Sequence, residues 1–241
     1  MYENKNSVVG VPGYIGNRGS SAETRGVSSS PALCRDDWMH YYLCEVEPMI
    51  ESTSMSQLLR VVLEEDVFWA APAAKGMHHN FRGGLQDHVM RMLTLFVAMH
   101  GSGHPDFRGM CRGLVIAGIV MHDFMKHKEY VEGPPGEFSR TRYSYLVGHV
   151  AGGAMYAQKI LDTAVPKIHM PEELKQHLFH VLLAHHGEVA WGSPVPPRTL
   201  EALVVHHIDN LDGSMWAFVA TEDMQIRHKN TGTVIKYGGQ A

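Results

Sequence analysis

The residues best suited to chemistry are histidines and aspartates that stand in apolar surroundings. The chain has 17 histidines but only 3 cysteines among its 241 residues. That balance argues against a zinc site built on thiolates and leaves room for a metal site rich in histidine. His122 and Asp123 follow directly on a strongly apolar segment. Because a buried carboxylate beside a buried imidazole is costly unless it is paired or binds a cation, this pair is a candidate metal ligand set.

Further candidates share this pattern of a polar residue within an apolar segment. They are His88, His149, His185, His186 and Asp209. The separations are too long for one loop to chelate an ion, so helices would have to converge, as they do in metal sites at bundle cores. Imidazole and carboxylate ligands suit Mn, Fe, Co, Ni or Zn and disfavour Ca or a Mg site made of protein ligands alone. We expect one or two divalent ions, with Mn, Fe, Co or Ni ahead of Zn or Mg.

The elements that would position these residues are predicted to be helices. Apolar residues recur at helical spacing from about residue 32 and then in the segments 58–69, 85–99, 110–122, 146–163, 171–184 and 198–220. Residues 130–143 carry a cluster of Gly and Pro, which predicts a loop with a small β-hairpin.

The sequence as a whole predicts one all-α domain, a helical bundle over residues 31–225. The Gly- and Ser-rich stretch at 1–30 predicts an irregular N-terminal arm, and 226–241 predicts an irregular tail.

Composition excludes several classes of protein. The net charge of −4 offers no basic surface for a long nucleic acid. No run of 18 apolar residues occurs, and the N-terminus has no secretory signal pattern, so we expect neither a membrane span nor a membrane partner. Cys34, Cys44 and Cys111 are odd in number and widely spaced, which predicts reduced thiols in the cytoplasm. A homo-oligomer is compatible with the sequence but is not predicted by it.

The order of the candidate ligands resembles that of the HD-domain metal-dependent phosphohydrolase superfamily. It is most similar to the HD domain of the YhaM-type 3′-5′ exoribonucleases. The strings that carry the resemblance are His78–His88, Val120–Lys126, Leu146–His149, Ala184–Pro194 and Ile208–Asp212. The resemblance extends from about Met77 to Trp216 and implies the helical HD fold.

The resemblance also implies two metal ions that share a bridging Asp123. The first ion would be held by His88, His122, Asp123 and Asp209, and the second would be completed by His149, His185 and His186. A centre of this kind activates water and neutralises charge on phosphoryl oxygens. Asp212, one helical turn beyond Asp209, is expected to support the first ion or to exchange roles with Asp209.

Lys126 matches the lysine that follows the His-Asp motif in this family, and the resemblance implies that it contacts a phosphate. Met125 replaces the small residue usual before that lysine. Asp123 and Lys126 are therefore the predicted catalytic residues. The predicted substrate contacts are Lys126, Trp191 as a base-stacking group, Arg198 and His79.

The predicted function is metal-dependent hydrolysis of a nucleotide, a cyclic nucleotide or a short oligonucleotide. A processive grip on long RNA is less expected, because the chain is acidic and shows no strand-rich nucleic-acid-binding segment. Three alternatives remain open. They are a 3′-5′ exonuclease on single-stranded RNA or DNA, an HD-type diiron oxygenase, and a metal-binding module without catalysis.

Overall fold

The structure is a computed structural model. It describes residues 34–76, residues 79–219, and residues 227–228 with 232–233. The predicted N-terminal arm at 1–30 and most of the predicted tail at 226–241 lie outside the described residues. Within the tail, strand β3 (Arg227–His228) pairs antiparallel with strand β4 (Gly232–Thr233).

The described part of the chain is mostly helical, which confirms the predicted all-α class. Its α-helices are α1 (Arg35–Tyr41), α2 (Thr53–Glu64), α3 (Asp66–Ala70), α4 (Gly84–Gly101), α5 (Arg112–Met121), α6 (Lys126–Glu129), α7 (Arg142–Leu146), α8 (Gly148–Thr163), α9 (Glu172–Ala184) and α10 (Leu200–Val219). Shorter turns of π- or 3-10 helix lie at Tyr42–Val46, Glu47–Met49, Pro105–Phe107 and Val189–Trp191. Among the described helices, none combines the length and the apolar character needed to cross a membrane.

The predicted hairpin lies between α6 and α7. Strand β1 (Tyr130–Glu132) pairs antiparallel with β2 (Phe138–Arg140), and Val131 faces Ser139 in the register. Gly136 has a positive φ of 81°, a conformation that glycine adopts without steric cost. The hairpin places α6 and α7 next to each other at its open end.

Helix α5 forms the centre of the bundle and brings the His-Asp pair into it. Every residue from 113 to 121 is buried, and α5 packs against α2, α4, α9 and α10. A Cβ atom at Gly118 would come within 2.5 Å of Val181 Cγ1 and 2.8 Å of Val205 Cγ2. The absence of a side chain there therefore allows α9 and α10 to pack closely on α5, and His122 emerges between them.

Helix α4 begins where two glycines allow the chain to turn sharply. Gly83 has φ of 82°, and a Cβ atom at Gly84 would lie 2.0 Å from the carbonyl oxygen of His79. This close approach fixes the loop before α4 against its first turn. His88 then lies one turn further on, on the buried side of the helix.

Candidate metal centre

The structure brings all seven predicted metal ligands into one cluster. We call His88, His122 and Asp209 the first half-site. His88 Nε2 lies 3.1 Å from Asp209 Oδ1, and His122 Nε2 lies 3.7 Å from the same oxygen. Asp123 Oδ2 lies 3.3 Å from His122 Nε2. Donor atoms of His88, His122 and Asp123 all lie within 4.8 Å of one another.

The remaining ligands form what we call the second half-site, which consists of His149, His185 and His186. Their donor atoms also lie within 4.8 Å of one another. The other carboxylate oxygen of Asp123, Oδ1, lies 3.3 Å from His149 Nε2 and 3.9 Å from His185 Nε2. Asp123 thus presents one oxygen to each half-site, which is the geometry of a bridging carboxylate.

Every one of the five histidines is held in the same way, by a hydrogen bond from Nδ1 to an oxygen. The acceptors are Asp212 Oδ2 for His88 at 2.7 Å, Ile119 O for His122 at 2.9 Å, Glu129 Oε1 for His149 at 3.0 Å, Leu182 O for His185 at 2.7 Å and Trp191 O for His186 at 3.0 Å. A carbonyl or carboxylate oxygen accepts, so Nδ1 carries the proton. This leaves Nε2 as the atom that can bind a metal, and such outer bonds typically orient metal-binding imidazoles.

Two observations show that a divalent cation fits among these atoms. Nε2 of His122 and Nε2 of His185 are buried and have no hydrogen-bond partner among the described residues. Nε2 of His149 and Nε2 of His186 are 3.1 Å apart although both rings donate through Nδ1. Neutral rings would then place two lone pairs face to face, which is stable only with a proton or a cation between them. The donor set, imidazole with carboxylate, is one that transition metals prefer.

The electrostatics of the cluster keep its carboxylates ionised. Burial raises the pKa of Asp123, but the ammonium of Lys126 and the neighbouring imidazole of His122 outweigh it and hold that pKa well below its usual value. Burial lowers the pKa of Lys126, but Asp123 raises it above normal, and the two side chains form a short ion pair. Asp209 behaves like Asp123, because a hydrogen bond from His88 outweighs burial and lowers the pKa.

The pKa of His88 in the first half-site is shifted in the opposite direction from those of His185 and His186 in the second. Burial lowers the pKa of His88, but the carboxylates of Asp209 and Asp212 raise it to about 9. In the second half-site, burial lowers the pKa of His185 and of His186, and the neighbouring histidines lower both further. A metal ion entering the first half-site must therefore displace a proton from His88, whereas His185 and His186 already favour the neutral ring.

Two buried carboxylates support the histidines from outside the ligand set. Asp212, which the sequence predicts as a support, also accepts from Arg91 Nε through its Oδ1 at 2.6 Å. Glu129, buried at the end of α6, is absent from the predicted site. It lies in the polar segment Lys126–Glu132, where neither apolar periodicity nor a motif distinguishes it from an exposed charge. Burial raises the pKa of Glu129, but hydrogen bonds from His149 lower it below normal, so it is a carboxylate.

The turn that presents His185 and His186 depends on a residue of α10. His206 is buried and its Nδ1 donates to the carbonyl oxygen of His185 at 2.8 Å. Gly187 has φ of 83°, and a Cβ atom there would lie 2.3 Å from the His206 ring. His206 thus supports this turn from α10 and is not one of the predicted ligands.

The predicted substrate contacts are placed very differently from one another. Trp191 is 51% exposed, and its backbone carbonyl accepts a hydrogen bond from His186. Arg198 is exposed just before α10, and its backbone N–H donates to His180 Nε2 at 2.8 Å. His79 is fully buried, 3.2 Å from Asp87 Oδ2 and 3.7 Å from Asp212 Oδ2. This placement favours a supporting role behind His88 over contact with a substrate.

Lys126 points into the cluster despite the unusual residue before it. Met125 is buried, 3% exposed, in the hydrophobic core. Gly152 of α8 leaves room there, since a Cβ atom on it would lie 3.5 Å from the Met125 Cβ and 2.1 Å from Tyr143 Oη. The larger residue is therefore accommodated on the core side, and the Lys126 ammonium reaches Asp123.

Comparison with known proteins identifies relatives that share this region. The chain is 38% identical over 151 residues to the 3′-5′ exoribonuclease YhaM of Bacillus subtilis, covering 63% of this chain and 45% of that protein. It is 33% identical over 185 residues to the YhaM of Listeria welshimeri, covering 76% and 55%. It is 30% identical over 203 residues to the YhaM of Geobacillus sp. (strain WCH70), covering 83% and 59%. No family model and no solved structure matches the chain.

The helical bundle and the order of its candidate ligands are similar to those of an HD domain. The YhaM proteins are an HD-domain enzyme family, and the chain is homologous to them. The resemblance predicted from the motifs is thus confirmed. The chain spans about half the length of these curated relatives.

Proposed function

We propose that the protein is a metal-dependent phosphohydrolase that cleaves a phosphodiester or phosphoanhydride bond of a nucleotide, a cyclic nucleotide or a short oligonucleotide. The observation that carries this proposal is the convergence of five imidazole Nε2 atoms on two half-sites that share Asp123. The name of its relatives, 3′-5′ exoribonuclease, supports the same bond type.

The proposed metal ligands are the seven residues of the two half-sites and their bridge. They are His88, His122, Asp123 and Asp209 for the first ion, and His149, His185 and His186 with Asp123 for the second. When bound, the ions would supply an activated water and neutralise charge on the phosphoryl oxygens. From ligand chemistry we propose Mn, Fe, Co or Ni ahead of Zn or Mg.

The side chains around the ions would bind and orient the substrate. Lys126 has its ammonium at the bridging carboxylate, where it can hold a phosphate oxygen by a charge-assisted hydrogen bond. Trp191 is exposed and is linked to His186 through its backbone carbonyl, so a base could stack on its indole while the phosphate lies at the ions. Arg198 would contribute positive charge at the rim rather than a contact to the reacting phosphate.

A second candidate, favoured by the relatives' name, is 3′-5′ exonuclease activity on single-stranded RNA or DNA. Both candidates use the same bond cleavage and differ in the length of substrate that is gripped. The net charge of −4 favours short substrates, because affinity for long strands depends on many lysine and arginine contacts to phosphates. Length dependence of the rate separates the two.

We also infer a cytoplasmic location and leave open a homo-oligomer. Cys34, Cys44 and Cys111 are all free thiols, as reduced cysteines are in that compartment. Fractionation of cells that express the protein tests the location, and light scattering tests the oligomeric state.

The decisive experiment is a grid of metals against substrates. Mn, Fe, Co, Ni, Mg and Zn are each tested with nucleoside mono- and triphosphates, cyclic nucleotides, a bis-aryl phosphodiester and short single-stranded RNA and DNA. The control pair is Asp123→Ala and Asp162→Ala, since Asp162 is an exposed aspartate on α8. We expect Asp123→Ala to lose both hydrolysis and bound metal, and Asp162→Ala to retain both.

Three results would contradict the proposal. Full activity and full metal content in Asp123→Ala would exclude the site. Oxygen consumption by the iron-loaded protein without phosphate release would favour an oxygenase. Metal binding without cleavage of any substrate in the grid would favour a non-catalytic module.

A further inference from the structure

We propose that Glu129 is a positioning residue for one of the two ions, because it holds His149 in place. Its removal should lower the affinity of the second half-site for its ion and leave the affinity of the first half-site unchanged. This inference rests on the proposed metal-dependent function. It concerns a residue that lies outside the ligand set and touches no reacting atom.

A single carboxylate oxygen of Glu129 holds His149 at two points. Glu129 Oε1 accepts from the backbone N–H of His149 at 2.6 Å and from its ring Nδ1 at 3.0 Å. Glu129 is 4% exposed, so water does not compete effectively for these bonds. The backbone and the ring of the same ligand are thus fixed by one charge.

The position of His149 in its helix makes this contact unusual. Helix α8 begins at Gly148, which has φ of 74°, and no side chain of the preceding residue caps the helix. Glu129 caps the first turn of α8 from α6, where a negative charge is favoured. A Cβ atom at Gly148 would lie 3.5 Å from Glu129 Oε1. The helix start and the metal-binding ring are therefore positioned together.

The first half-site has a separate support. His88 Nδ1 donates to Asp212 Oδ2, and Asp212 is in turn bonded by Arg91. His122 donates to the backbone carbonyl of Ile119. Since Glu129 and Asp212 each bond a different histidine, loss of Glu129 should act on one ion only.

The test uses Mn²⁺ binding to the full chain, measured by titration calorimetry and by metal content per chain after gel filtration. The variants are Glu129→Ala, Glu129→Gln, His149→Ala as the reference, and Glu137→Ala as an exposed glutamate in the hairpin turn. We expect Glu129→Ala to lower the affinity for one Mn²⁺ ion by about 10- to 100-fold, as is usual when a residue that hydrogen-bonds a metal ligand is removed. His149→Ala should affect the same ion, and Glu137→Ala should affect neither.

Glu129→Gln keeps the acceptor oxygen and the shape but loses the charge. We expect it to weaken the same ion by roughly 10-fold, at the low end of that range. If Glu129→Ala does not fold, the Glu129→Gln variant provides the test. An Mn²⁺ titration of Glu129→Gln that is identical to that of the wild type would then overturn the proposal.

Other outcomes also overturn it. The folded Glu129→Ala protein could bind both ions with wild-type affinity, or its affinity for both ions could fall equally. Either result would show that Glu129 does not act on the second half-site alone. The proposed function fails in a different way, when the unmodified protein binds no metal of the grid and cleaves nothing.

Discussion

The two half-sites of the metal centre share one carboxylate but are built on different principles. The first consists of side chains from α4, α10 and the end of α5, and it is stabilised by interlocked charges. The side chains of His88 and His122 are fully buried, and Asp212 with Arg91 closes the network behind His88. The second is formed at the start of α8 and the end of α9, beside an exposed loop, and His149 remains 12% exposed.

This difference indicates which side meets the substrate. Apart from the shared Asp123, the second half-site has only imidazole ligands, and Trp191 lies exposed directly beside it. An anionic phosphate is better tolerated there than next to the carboxylates of the first half-site, since like charges repel. We therefore expect the second ion to lie closer to the bulk of the substrate than the first.

The strongest test that each half-site binds its own ion is to remove one histidine from each of them in turn. We expect His88→Ala to lose the first ion and His149→Ala to lose the second, and each to reduce hydrolysis to the background rate, because the reaction requires both ions. Metal content per chain and the rate on a phosphodiester are measured for both variants. His207→Ala, an exposed histidine of α10, is the matched control and should change neither. If either variant keeps two ions, the division into half-sites is wrong.

A second prediction uses the raised pKa of His88, a feature of the first half-site alone. In the metal-free protein this pKa is about 9, whereas in the unfolded chain it is about 6.5. The protonated ring therefore stabilises the fold fully below pH 6.5, and this contribution is lost as the pH rises through 9. The gap corresponds to about 3 kcal/mol in the free energy of unfolding.

Urea denaturation in the presence of a chelator, at pH 6.5 and pH 9, measures this loss. His185 has a pKa well below its usual value, so it is neutral in the folded protein, whereas in the unfolded chain it is still partly protonated at pH 6.5. Loss of that proton above pH 6.5 raises stability slightly and opposes the larger loss from His88. The His88→Ala protein lacks the titrating group and should show a smaller change with pH. A free energy of unfolding that rises between pH 6.5 and pH 9 would contradict the charged network around His88.

The sequence identifies the residues that the structure brings together, because each one combines a polar side chain with an apolar neighbourhood. The run of apolar residues before His122 predicts a buried helix, and a buried helix that ends in His-Asp must bring its charge into the core. The same signal applies to His88 and Asp209. The hairpin also follows from local chemistry, because Gly and Pro cluster at residues 133–136.

The sequence fails where a role depends on contacts between distant segments. Glu129 bonds His149, 20 residues further on, and nothing in its own neighbourhood indicates burial. His79 precedes a glycine pair in a loop, and its buried ring packs beside the rings of His88 and Trp216. Both placements depend on how α4 and α6 pack, and periodicity within one segment contains no information about that packing.

The mildest perturbation tests whether the second half-site is the one that meets the substrate. Replacing Trp191 with Ala removes the stacking surface but leaves the backbone carbonyl that holds His186. We expect KM for a short single-stranded oligonucleotide to rise roughly 5- to 100-fold, as for the loss of one stacked base, with metal content unchanged. KM for a bis-aryl phosphodiester, whose rings stack more weakly, should rise less, and Trp191→Phe should restore most of the oligonucleotide affinity. Since Trp191 adjoins only the second half-site, an unchanged KM for the oligonucleotide would remove the main reason for placing the substrate on that side.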